Sequence, residues 1–77
     1  MKLGIYKHYK GNFYRVIGAA RHTETLEELV VYQSLYGDFG IWVRPLPMFL
    51  GQVELEGHAV PRFAFYCDAG KEPPASR

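Results

Sequence analysis

The chain has 77 residues, 48% of them hydrophobic and 16% aromatic, with a formal net charge of +1. This length leaves room for one domain with one modest core, and the apolar content excludes global disorder. A single cysteine, Cys67, excludes a disulfide-stapled scaffold and a thiolate metal cluster.

Residues 2–7 form an opening strand by their apolar content, with Leu3, Ile5 and Tyr6 as the inward candidates. Residues 8–12, HYKGN, read as a turn in which Gly11 or Asn12 takes positive φ. Residues 13–21, FYRVIGAAR, then alternate: Tyr14, Val16, Gly18 and Ala20 face one side, and Phe13, Arg15, Ile17, Ala19 and Arg21 the other. The small residues at 18–20 mark a close crossing or a sharp coil of the strand. Residues 22–28, HTETLEE, are polar, and although Thr25-x-x-Glu28 has the form of a capping box, too little chain follows for a helix.

The run 29–36, LVVYQSLY, is the central strand, and 41–44, IWVR, returns beside it across Gly37-Asp38-Phe39-Gly40. That pairing sets Tyr36 against Ile41, Leu35 against Trp42, Ser34 against Val43 and Gln33 against Arg44. Val30, Tyr32, Ser34, Tyr36, Ile41 and Val43 then line the core face. Val31, Gln33, Leu35, Trp42 and Arg44 point outward, because the second set would otherwise bury an arginine and a glutamine. Pro45 and Pro47 cannot continue a ladder, so a 3₁₀ corner is expected there, dropping Leu46, Met48 and Phe49 into the barrel mouth. Residues 52–56 and 60–66 complete a hairpin about Glu56-Gly57-His58. The expected fold is all-β, a small SH3-like barrel of about five short antiparallel strands over residues 1–66, with a disordered, flexible tail at 67–77.

The blocks Tyr9-Lys10-Gly11, Tyr14-Arg15-Val16, Ala20-Arg21-His22 with Glu24, Val30-Val31-Tyr32, Leu35-Tyr36-Gly37, Trp42-Val43-Arg44-Pro45 and Met48-Phe49 occur in this order. In them the chain resembles the bacterial family called domain of unknown function 1653, and the likeness runs more loosely to Pro61-Arg62-Phe63. The resemblance implies a domain spanning most of the chain. It brings no established activity and no catalytic residues.

The best candidate for function is a recognition surface of Trp42 and Arg44 with Gln33, flanked by Arg15, Arg21 and His22 and by exposed tyrosines such as Tyr6 or Tyr9. An aromatic platform beside a guanidinium suits a stacked base with its phosphate, or a peptide laid on aromatic rings. The near-neutral charge argues against nucleic acid, since affinity for a polyanion grows with the phosphates neutralised. Residues 1–22 carry five bases and no acid and residues 23–40 four acids and no base, which is accounted for more simply by two elements attracting each other than by a polyanion.

A different class of function is a small enzyme or nucleotide-handling domain using His22, Glu24 and Arg44, although neighbours in sequence do not by themselves converge in space. A third is a homo-oligomeric or accessory subunit. Histidines 8, 22 and 58 lack ligand-pair spacing, and no cofactor, metal site or phosphate loop is expected. The N-terminal stretch has no uninterrupted apolar core and no segment approaches a membrane span, so the expected location is the cytoplasm.

Overall fold

The structure is a computed structural model that describes residues 2–68. Seven strands and one helical turn follow in the order β1 (Gly4–His8), β2 (Phe13–Arg21), β3 (Glu28–Ser34), β4 (Ile41–Pro45), α1 (Leu46–Phe49), β5 (Gln52–Leu55), β6 (His58–Pro61) and β7 (Phe63–Cys67). The first four strands make an antiparallel meander, and β7 returns to the free side of β1, giving the sheet order β4-β3-β2-β1-β7. Strands β5 and β6 form a separate two-stranded sheet, so among the described residues no ladder joins β4 to β7. The protein is therefore all-β with one short helical turn. No described helix is long and apolar enough to cross a membrane.

Alternation explains most of the core. Tyr6 pairs with Tyr14, Val16 with Tyr32, and Tyr6 again with Phe65 across the other side of β1. The buried cluster is Tyr6, Val16, Val30, Tyr32, Phe49 and Phe63, with Tyr14 and Leu46 packed against it. Phe49 is the plug. It is 0% exposed, lies parallel to Phe63 at 4.1 Å between ring centroids, and meets Tyr6 and Tyr32 edge-on. Tyr6, offered above as an exposed tyrosine, belongs to this core, and its hydroxyl donates to the Lys2 carbonyl at 2.6 Å.

Four expectations change. The alternation in β2 is interrupted by a bulge between Val16 and Gly18, so that Ala19, opposite Val30, returns to the core side where Gly18 was expected. The proline corner is a turn closed by Leu50 N–H donating to Leu46 O (3.0 Å), an α-type bond rather than a 3₁₀ one; it delivers Phe49 and Leu46 to the core while Met48 stays exposed. Residues 60–66 are two strands, because the chain changes sheets at Arg62; the hairpin turns where expected, on Glu56 and Gly57, both at positive φ (52° and 82°). Cys67, assigned to the tail, is the last residue of β7 and pairs with Ile5. Of the rest of the expected tail, Asp68 is exposed and outside any strand, and the residues from 69 on lie outside the described residues.

Candidate functional site

Register decides what the central hairpin presents. Strand β3 ends at Ser34, and residues 35–40 form the loop: Ser34 N–H donates to Gly40 O (3.0 Å), Gln33 Nε2 to Phe39 O (3.0 Å), and Gly40 N–H to Asp38 Oδ1 (3.2 Å). The ladder therefore sets Gln33 against Ile41, Tyr32 against Trp42, Val31 against Val43 and Val30 against Arg44. This is offset by an odd number of residues from the expected pairing, and an odd offset exchanges the faces of the returning strand. Trp42 and Arg44 stand on the core face with Tyr32 and Val30, while Ile41 and Val43 look the other way with Gln33. The expected outward grouping of Trp42, Arg44 and Gln33 is thus corrected.

Trp42 is nevertheless 54% exposed. It sits on the edge strand, whereas Phe49 packs on Tyr6, Tyr32 and Phe63 nearer the middle of the sheet. One edge of the indole is held: Nε1–H donates to Ser34 Oγ at 3.4 Å, and Gly40 lies so close that a Cβ there would meet Cζ2 and Nε1 at 3.4 Å. The ring is positioned and still open to a ligand.

On the same face lies a cluster of aromatic rings and cations, with Tyr32 and Phe63 buried and Tyr14, Arg44 and His8 partly exposed around them. Arg44 Nε donates to the Tyr32 hydroxyl (3.3 Å), and its guanidinium carbon is 5.9 Å from the Phe63 ring centroid. Tyr14 stands edge-on to Tyr32, Tyr36 and Phe63, and its hydroxyl shares a hydrogen bond of 2.8 Å with that of Tyr36. Burial first, and then the bond to Tyr36, push the Tyr14 phenol well above its ordinary value, so it stays protonated. His8 closes this end, 4.9 Å from Phe63 and 4.5 Å from Tyr9 between centroids. Its Nδ1 accepts the Lys10 N–H (3.1 Å), which leaves the neutral ring's proton on Nε2. Burial holds the His8 pKa below the usual histidine value, and Arg62, Lys10 and Arg44 depress it further. All three are cations.

Arg62, where the chain passes from β6 to β7, is held through its backbone, which donates to Gly51 O and accepts from Tyr9 N–H, both at 3.0 Å. Its side-chain Nε is buried and has no hydrogen-bond partner among the described residues.

The remaining expected site residues are dispersed. Gln33 and Arg15 oppose each other on the other face of the sheet. Arg21 pairs with Glu28 at the far end of β2. His22 Nδ1 accepts the backbone N–H groups of Glu24 (3.1 Å) and Thr25 (3.3 Å), which makes it a loop-organising residue. Tyr14, Tyr32, Tyr36, Phe63, His8 and Arg62 were not among the expected site residues. A signal for His8 existed, since it continues the every-second-residue pattern of Tyr6, but assigning residues 8–12 to a turn hid it.

The family model described as Protein of unknown function (DUF1653) matches residues 4–65. Among solved structures, the chain is similar to the crystal structure of a DUF1653 protein from Bordetella bronchiseptica: 36% identity, a TM-score of 0.82, and coverage of 94% of this chain and 95% of that one. No curated protein matches it.

Proposed function

The chain belongs to the DUF1653 family, and from the geometry of its aromatic and basic face we propose that it is a non-enzymatic binding module for single-stranded nucleic acid. One observation carries the reading: a tryptophan on the core side of the sheet that is 54% exposed, two residues from an arginine on the same face. Two residues of strand span about 6.5 Å, which suits a base lying on the ring and its phosphate at the guanidinium. Tyr36, exposed and joined to Tyr14, extends the stacking surface. The low net charge does not weigh against this, because the cations near His8 are local to the face.

The same reading takes the fold as an SH3-like roll. A meander whose last strand returns to the first after a helical corner supports it, with β5–β6 inserted before the final strand.

The test is a chemical-shift titration of labelled protein with short single-stranded DNA and RNA and, separately, with a proline-rich peptide. Saturable, salt-sensitive shifts of the Trp42 indole and of the Arg44 and His8 amides are expected. Unsaturated drift, or saturation only with a proline-rich peptide, overturns the reading.

A further inference from the structure

We propose that His8 and Arg44, which both pack by the Phe63 ring, form with Arg62, whose backbone is tied to Tyr9, a phosphate-binding subsite that holds the phosphoryl group of a ligand whose planar ring lies on Trp42. This rests on the reading of the face as a nucleic-acid binder and names the group that it grips.

The Arg62 Nε–H is buried without a partner among the described residues. Buried polar groups are otherwise almost always hydrogen-bonded, and a charged donor left dry is the costliest exception. The residue as a whole is only half-buried, so a small turn of the guanidinium towards an acceptor at the surface would relieve that cost. Arg44 spends its Nε on the Tyr32 hydroxyl, and the other donors of its guanidinium fork have the planar spacing that matches two oxygens of one anion. His8 offers Nε2–H without having to be charged, because Nδ1 is occupied by the Lys10 amide.

The Arg44 guanidinium lies 5.9 Å from the ring on which His8 packs at 4.9 Å, and Lys10 adjoins His8 through its amide, so the group that would complement this corner is an acceptor-rich anion. The choice of phosphate over a carboxylate comes from the neighbour. Trp42 lies two residues from Arg44 on the same side of β4, and a nucleotide carries a flat ring and a phosphate joined through one sugar.

The experiment compares three probes by calorimetry and chemical shift: inorganic phosphate, a nucleoside, and its 5′-monophosphate. They are applied to the native chain and to Arg62→Gln, Arg44→Gln and Trp42→Ala. The native protein is expected to bind the monophosphate at least about tenfold tighter than the nucleoside. Arg62→Gln and Arg44→Gln each bring that ratio towards one with nucleoside affinity unchanged, whereas Trp42→Ala weakens both ligands and preserves the ratio.

A ratio near one in the native protein overturns the subsite, as does a ratio that survives both arginine substitutions. If Arg62→Gln does not fold, Arg44→Gln decides. Binding of oligonucleotides with no phosphate preference removes the subsite and leaves the broader reading standing. Saturable phosphate shifts at His8, Tyr9 and Phe63, with Trp42 unmoved by any oligonucleotide, remove the broader reading and the ring on Trp42 with it, and so overturn the proposal while leaving a site for a bare anion.

Discussion

Two side chains separate binding from stability. Trp42 contributes little to the core, since more than half of it is exposed and its bond to Ser34 is long. Trp42→Ala should therefore fold with a stability change within about 1 kcal/mol. Loss of one stacked base, worth about 1–3 kcal/mol, should weaken binding of a labelled oligonucleotide by roughly 5- to 150-fold in an anisotropy titration. His8 behaves differently. Its folded pKa is depressed, by burial first and then by Arg62, Lys10 and Arg44, so below the ordinary histidine value of about 6.5 the unfolded chain binds more protons. The His8 contribution to stability is present above that value and is lost as pH falls through the folded one. Thermal melts at descending pH should show this loss, and His8→Gln should remove the part due to His8. A bound anion raises the same pKa, so ligand affinity should rise as pH is lowered across that window.

Elements differ in how plainly their residues announce them. Both bounds of β2 were legible, because its alternation runs between a Gly-Asn turn and a polar loop. The end of β3 was not. Leu35 and Tyr36 are strand-forming residues held in a loop by Gln33 and Ser34, whose side chains bond the carbonyls of Phe39 and Gly40; such side-chain bonds compete with the ladder and leave no trace in the apolar pattern. The register, and with it the face of Trp42 and Arg44, followed from that local contest. Arg62 was illegible for a related reason: it lies in a crossover, where periodicity says nothing. The position of the β5–β6 turn was readable from Glu56-Gly57-His58. Glu56 occupies a left-handed conformation (φ 52°) that asparagine adopts more readily. Glu56→Asn should stabilise the hairpin by up to about 1 kcal/mol, seen as slower hydrogen exchange of β5 and β6 amides. The slowest amides of β2 and β3 should not change, since among the described residues no ladder links the two sheets.

At the scale of the molecule, the helical corner supplies the residue on which the core closes. Phe49 is fully buried and stacked on Phe63, so Phe49→Ala should cost about 3–5 kcal/mol, a large share of what a domain this small possesses, with urea denaturation as the measurement. The return of β7 to β1 has a consequence in time as well as space. His8 pairs with Phe63 and Lys7 with Ala64, residues from opposite ends of the described chain, and closing so long a loop is the entropically slow step of assembly. The meander β1–β4 can form from near neighbours and already carries Trp42 and Arg44, but it lacks Phe63 and Arg62. In stopped-flow refolding, the Trp42 signal should therefore settle before the chain regains ligand, and simultaneous recovery of both would contradict this order. Competence would then arrive with the last strand, so that only chains that have finished folding can bind.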